Sequence, residues 1–471
     1  MISKLGKPLS SGPKAVNKTL FSGIWIRWSA MTKGERLVFA NILLLPVWWL
    51  SGLSNYFLPL ILTVIAFYEW RTYGKLRLKR PSRVIVAYLA WFTYEQLNAL
   101  FFALSEHPGV DAQNPTDLVK SLLSLSMPVL LWYIQSNNIR IRPAVVAWAC
   151  SASVVMMLSF WVVAQGIFSA GAYTIPRSLY GYLTNKPGEY VPGNGDANYL
   201  MPYFPWEKVM GNLSRFSFFF QSPEPFALYA GLVGLLALDI KNRLWSVLLF
   251  IASVFLLFVS GTRSTWISFP IVLIVRYWFA AGSAFGPSFL CGLAATACFV
   301  TLSIYPVTDL IEHKFTNTTT AVSEFREDST ETRTKIYQET LKAIPEKFLT
   351  GHVVEGPTVD PGFEPAKIGS HSFWLGSLMY QGGLVSLVLF LNYWVSFIMW
   401  LYNTRIGRPM MCLLGMLFFS LTFAVMPIPS TGAMGILMFA ALREPTTKSP
   451  SKNFAGVLPH LGSQNLYLKK P

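Results

Sequence analysis

The sequence predicts an all-α fold, a polytopic membrane helix bundle of about twelve transmembrane helices, and three observations point to it. Of 471 residues, 53% are hydrophobic, 15% aromatic and only 13% charged, which is more apolar surface than one water-soluble core can hide. Apolar runs close to the ~20 residues needed to cross a bilayer as a helix recur from Arg36 to Leu442, with no polar stretch between them large enough to fold alone. The basic residues also fall in alternate connections, as they do when lysine and arginine are retained on the cytoplasmic side during insertion.

Taken in order, the candidate spans are 36–52, 54–70, 84–104, 118–135, 143–170, 216–238, 244–260, 264–282, 284–306, 372–402, 410–427 and 429–442. Residues 1–35 are basic and hold no apolar segment ending in a cleavage site, so they read as a cytoplasmic tail. Residues 36–442 form one membrane domain, and 443–471 a second cytoplasmic tail. With both ends inside, 25 of the 38 lysines and arginines lie in cytoplasmic segments, among them Arg71 to Arg83, Arg140, Arg142, Lys241, Arg243, Arg276, Arg405 and Arg408. The net charge of +15 is therefore a topology signal and not a nucleic-acid footprint. Cys150, Cys291, Cys298 and Cys412 all fall inside apolar runs without CxxC spacing and read as small buried hydrophobes.

Two connections are long, Phe168 to Leu213 and Val307 to Ser370, and both land outside. Loops of that length usually carry function. The second belongs to a large periplasmic loop, 307–371, expected to carry short helices. Its stretch Thr332 to Phe348 places Ile336, Tyr337, Leu341, Ile344 and Phe348 at helical spacing, as in a helix lying on the outer membrane surface with one apolar face. Glu95 sits in mid-span, where an ionisable group needs a partner or a cavity, and the sequence does not name that partner.

Three arginines stand on the outer side against the insertion rule: Arg215 opening the sixth span, Arg263 opening the eighth, and Arg333 in the long loop. Taken alone, Arg215 and Arg263 also read as snorkelling helix-end anchors, and Arg333 as part of a solvated face with Glu331, Lys335 and Glu339. His371, just before the tenth span, can accept a proton near neutral pH. Glu224 reads first as an ion-pair partner for Arg215 or Arg263, and His352 as a solvated loop residue.

Four short motifs then fall in order: Arg215 to Tyr229 (RFSFFFQSPEPFALY), Ser260-Gly261-Thr262-Arg263-Ser264, Glu331-Thr332-Arg333 followed by Ala343-Ile344-Pro345 and Gly351, and His371-Ser372-Phe373-Trp374-Leu375 with Gln381-Gly382-Gly383-Leu384. Together they resemble the O-antigen ligase and O-antigen polymerase superfamily of lipid-linked glycan transferases. The resemblance implies transfer of a polysaccharide or repeat unit from an undecaprenyl diphosphate carrier to an acceptor hydroxyl on a glycan, a lipid A core or a protein. The setting it implies is the periplasmic face of a bacterial inner membrane. It assigns Arg215, Arg263 and Arg333 to the diphosphate and His371 to activating the acceptor, with no cofactor and no metal. The chain departs from the pattern at Glu224 and Ser372, where asparagine is usual, and at Phe218, Phe219 and Phe220, where small residues are expected.

The chemistry is coherent with those residue types. A departing diphosphate gains charge, and guanidinium forks meet phosphate oxygens through paired hydrogen bonds. A neutral imidazole can take the acceptor's proton. The leading reading is thus an inverting, metal-independent transferase of the ligase or polymerase type. A metal-dependent transferase commonly places an acidic pair in an outer loop, yet the first outer connection, Ser51 to Asn55, has no carboxylate. A small-anion, bicarbonate-like transporter stays as the other alternative, although no halves repeat as many transporters require.

Overall fold

A computed structural model describes residues 20–23, 25–105, 123–167, 175–185, 198–208, 214–280, 327–360 and 366–444. The predicted span 284–306, Cys291, Cys298 and most of both tails lie outside these residues. Among the described residues, Cys150 and Cys412 are buried free thiols.

Helix α1 (Lys33–Leu43) opens on a reciprocal cap, in which the Thr32 hydroxyl accepts from the Glu35 N–H and the Glu35 carboxylate accepts from the Thr32 N–H. The chain breaks at Leu44, and α2 (Leu45–Ser51) starts with a proline in its first turn, so the predicted span 36–52 is two short helices. There follow α3 (Phe57–Tyr73), α4 (Arg83–Ser105), α5 (Ser126–Ser136), α6 (Pro143–Ile167) and α7 (Leu179–Leu183). Next come α8 (Pro223–Ala237), α9 (Arg243–Val259), α10 (Arg263–Ala280) and α11 (Glu327–Ala343). A π-helical segment (Phe373–Gln381) leads into α12 (Gly383–Asn403), α13 (Met411–Thr422) and α14 (Ser430–Ala441).

Two small antiparallel hairpins qualify the all-α expectation, β1 (Phe21–Ser22) with β2 (Trp25–Ile26) and β3 (Tyr203–Lys208) with β4 (Ser214–Phe216). The second corrects the place of Arg215. That residue lies on β4, opposite Phe204, and the sixth predicted span begins as a helix only at Pro223.

Apolar side chains face outward in stripes. On α9, Leu244, Val247, Leu248, Ile251 and Val254 are exposed at helical spacing, as are Val388, Leu391, Val395 and Met399 on α12. Stripes of that extent do not persist in water, and they suit a bundle whose solvent is lipid. Among the described residues two helices, Pro143–Ala164 within α6 and Gly383–Asn403, are long and apolar enough to cross a membrane; Pro223–Ala237, Arg243–Val259, Met411–Thr422 and Ser430–Ala441 are apolar but shorter.

The connections gather at two ends of the bundle. At one end, buried acids meet arginines across neighbouring segments: Glu35 with Arg142 at 2.6 Å, Glu69 with Arg77 at 2.8 Å, and Asp239 with Arg276 at 2.7 Å. There too the Met411 N–H donates to Asp239, and Ile141 bridges to Leu442. At the other end, Gln221 donates to Ser54, Asn98 to the Thr350 carbonyl, and Ser372 to the Ala424 carbonyl. Glu95, on α4, receives the Ser386 hydroxyl of α12, and Trp91 donates to the same hydroxyl at 3.0 Å.

The π-helical segment folds back beside the first half of α12, so that Phe373 meets Phe390 and Trp374 meets both Phe390 and Trp394. The tip of this helical hairpin is crossed by residues 348–353. The Leu384 N–H bonds Phe348, the Val353 N–H bonds Gln381, and the His352 N–H bonds Tyr380. At the crossing a Cβ on Gly383 would stand 2.3 Å from the Leu349 carbonyl oxygen, and one on Gly351 2.2 Å from that of Gln381. Both residues also have positive φ, 72° each, so only glycine fits on both counts.

Gly383→Ala is therefore expected to destabilise the protein by about 1–3 kcal/mol, and more than Gly74→Ala. Gly74 shares the positive φ, 69°, but a methyl added there would meet nothing within 4 Å. Thermal unfolding of both variants in detergent checks this, and equal shifts would count against the crossing.

Candidate functional site

Two bodies meet at the crossing, the surface helix α11 and the loop that carries His371. Helix α11 is where the apolar spacing placed one, and it packs on the protein through part of that spacing together with Thr340. Ile336, Thr340 and Ile344 are buried, whereas Leu341 and Phe348 are exposed. The Thr340 hydroxyl accepts the Gly369 N–H at 2.9 Å, and Gln381 donates to the Gly369 carbonyl at 3.1 Å. The peptide two residues before the histidine is thus held from both bodies.

His352 is not a solvated loop residue. Its ring stacks on Tyr380 with centroids 4.4 Å apart, and Nε2 lies 3.0 Å from the Ala343 carbonyl oxygen. It ties the end of α11 to the π-helical segment.

His371 itself has φ of 65°, a left-handed conformation that a residue with a Cβ adopts only when its surroundings impose it. Ser372 imposes it from the C-terminal side. Its hydroxyl accepts the Leu375 N–H, capping the π-helical segment, while donating to Ala424. A serine caps as an asparagine does, so the departure at Ser372 keeps that geometry.

The imidazole is oriented by its other neighbour. Ser370 Oγ donates to the Lys367 carbonyl at 2.7 Å, which uses its single proton, and it lies 2.6 Å from His371 Nδ1. In the tautomer that goes with this bond to Lys367, Nδ1–H donates to Ser370 Oγ and the Nε2 lone pair is the basic position.

Burial first, and the Arg333 guanidinium second, hold the imidazole down at about 4 against an ordinary 6.5, with the Glu224 carboxylate pulling the other way. The ring is neutral across physiological pH. Because the folded value is depressed, its contribution to stability is whole above 6.5 and is lost as the pH falls through about 4.

The five residues singled out by sequence occupy connected positions but differ in what they are free to do. Arg215 is buried and committed to protein oxygens, with Nε donating to Ser260 at 2.7 Å and Nη2 donating to Glu224 at 2.8 Å and to Thr262 at 3.4 Å. Glu224, in the first turn of α8, is the ion-pair partner of Arg215. This clasp fixes the turn Ser260–Thr262, and Arg263 follows it as the first residue of α10.

Arg333 sits half-buried on α11 and makes no hydrogen bond or ion pair among the described residues. One turn further along, the Tyr337 hydroxyl is buried without a partner among them, and burial pushes its phenol up while Arg333 opposes the shift. Apolar periodicity placed Tyr337 on the apolar face of a membrane-surface helix and gave no role to Ser370 or Thr340. A serine immediately before a candidate base was the one signal available for Ser370. Of the two charges that act on His371, Glu224 is paired with Arg215 and Arg333 has no partner among the described residues, so the arrangement suits an anion.

Residues 248–391 match the family model described as O-antigen ligase. The match takes in Arg263, Arg333 and His371, with Arg215 and Glu224 on its N-terminal side. It supports the resemblance to the O-antigen ligase superfamily. No curated protein matches the chain.

Arg333→Gln is expected to raise the protonation midpoint of His371 from about 4 towards the ordinary value without reaching it, since burial remains. Histidine-selective NMR across pH 3 to 8 would check this, and an unmoved midpoint would separate Arg333 from His371.

Proposed function

We propose that the chain is an O-antigen ligase-like transferase. It moves a saccharide from undecaprenyl diphosphate to an acceptor hydroxyl at the extracytoplasmic face of a bacterial inner membrane, with about twelve spans and both termini in the cytoplasm. The observation that carries the reading is the neutral His371, oriented with Nε2 available, beside an Arg333 without a partner among the described residues, both inside the O-antigen ligase match.

In this mechanism the acceptor oxygen attacks the anomeric carbon as its proton passes to His371 Nε2. The bond from the anomeric carbon to the phosphate oxygen breaks, and the lipid diphosphate leaves with the electron pair. Arg333 and Arg263 hold that growing charge through guanidinium–phosphate hydrogen bonds. Arg215 contributes by holding Glu224 and the turn from which Arg263 projects. The proton then leaves Nε2 for water.

A base held at about 4 is weak until something changes it, and the donor does so. A diphosphate seated on Arg333 cancels the positive charge that suppresses the imidazolium, so donor binding raises the basicity of His371 before the acceptor reacts. The order follows from electrostatics: carrier first, acceptor second. No step calls on a metal.

His371→Ala is expected to lower transfer by roughly 100-fold or more with protein abundance unchanged. Arg333→Lys should cost about tenfold or more in donor use, because a point charge replaces a two-pronged contact. Transfer in nanodiscs from purified lipid-linked donor measures both, and activity is expected to survive chelation. Full activity in the histidine variant would remove His371 from the chemistry.

A further inference from the structure

The end of the bundle away from His371 holds a second set of cations with no assigned use. Helix α13 separates the two places, and its 12 residues span roughly 18 Å at 1.5 Å each. A cavity of about 270 Å³ opens there, with Lys79, Arg80, Gln135, Trp132, Trp400 and Arg443 in its wall and Arg408 beneath. We propose that this cavity binds the phosphate headgroup of an anionic phospholipid in the leaflet at that face. The inference rests on the membrane reading but not on the transferase chemistry.

Charge is the first argument. Four cationic side chains line the cavity, and no carboxylate does among the described residues. Glu35, Glu69 and Asp239, at the same end of the bundle, are each paired with another arginine, and Glu444, which follows Arg443, does not line the cavity. Arg408 belongs to the framework, since its Nη1 donates to the Phe439, Ala440 and Leu442 carbonyls that end α14. Burial, with the like charges of Arg443 and Arg140 adding to it, pushes Arg408 down to about 10. A mobile anion relieves that potential.

Hydrogen bonding is the second argument. Gln135 Oε1 accepts from Ser82 at 2.5 Å, while Gln135 Nε2 is buried with no partner among the described residues. A buried amide donor in the wall of a cationic cavity calls for an acceptor oxygen.

The third argument chooses a lipid over a free anion. The exposed apolar stripe of α12 runs through Val388, Val395 and Met399 and arrives at Trp400 in the cavity wall, offering an acyl chain a track that ends at the cations. Trp132, whose indole N–H is fixed on the Lys79 carbonyl at 2.8 Å, and Trp400 stand where tryptophans sit at a membrane boundary. Basic pockets between helix ends are the form that phospholipid headgroup sites take.

The test is native mass spectrometry of the full chain in detergent with dioleoyl-phosphatidylglycerol or dioleoyl-phosphatidylcholine, matched in acyl chains. Phosphatidylglycerol adducts are expected to survive, and phosphatidylcholine adducts to be about tenfold fewer. The double variant Lys79→Ala, Arg80→Ala changes exposed side chains only, and it is expected to lose about tenfold of the phosphatidylglycerol adducts at an unchanged melting temperature. Gln135→Leu should lose them as well. Equal retention of the two lipids, or unchanged adducts in the double variant, would overturn the proposal. Displacement of the adducts by inorganic phosphate would give the cavity to a soluble anion and overturn it too. Glycan transfer by the same preparation reads the transferase proposal separately.

Discussion

The backbone crossing at Gly351 and Gly383 joins two parts of the chain that otherwise have no reason to be in register. One is a polar helix, α11, whose own sequence favours water. The other is a re-entrant π-helical segment packed into the aromatic heart of the bundle. Because the loop after α11 hydrogen-bonds the hairpin tip at Tyr380, Gln381 and Leu384, the position of Arg333 is referred to the same frame as that of His371. Thr340 and Gln381 then close on Gly369 from opposite sides. A charge on a surface helix can act on a ring at the bundle mouth only if such a frame keeps the two close.

On that frame the electrostatics divide into a clasp and a working pair. Arg215 and Glu224 neutralise each other and shape the turn before α10, and this explains why a carboxylate is tolerated where asparagine is usual. Arg333 and His371 are left in mutual conflict, a cation beside a ring that burial first and this charge second keep neutral. On the proposed function a bound diphosphate relieves this conflict, so donor recognition and base activation become one event. Arg263 follows the clasped turn as the first residue of α10.

Much of the architecture was legible in composition and spacing because lipid imposes its requirements on every residue it touches. The basic connections predicted to share one side do converge, through Arg77, Arg142, Arg276 and Arg408, and the short motifs pointed to residues that the fold connects. Three things were not legible. The part of α11 that packs on the protein includes Thr340, which apolar spacing passes over because its role is a hydrogen bond to Gly369. Arg215 looked like a helix start because the aromatic run after it is as apolar as a span, yet Ser214 to Phe216 pairs as a strand and Phe218 takes a left-handed φ of 49°. The fold-back of Phe373–Gln381 left no trace in hydropathy, since a re-entrant segment and the start of a long span have the same composition.

The claim on which the account turns is that donor binding switches His371 from a suppressed base to an effective one. The direct measurement is the pH dependence of transfer, with kcat/KM for the donor reporting the free protein and kcat the donor complex. The account expects the acid limb of kcat/KM near 4 and that of kcat displaced upward, with both limbs absent in His371→Ala. Coincident limbs, or limbs that persist without the histidine, would contradict it.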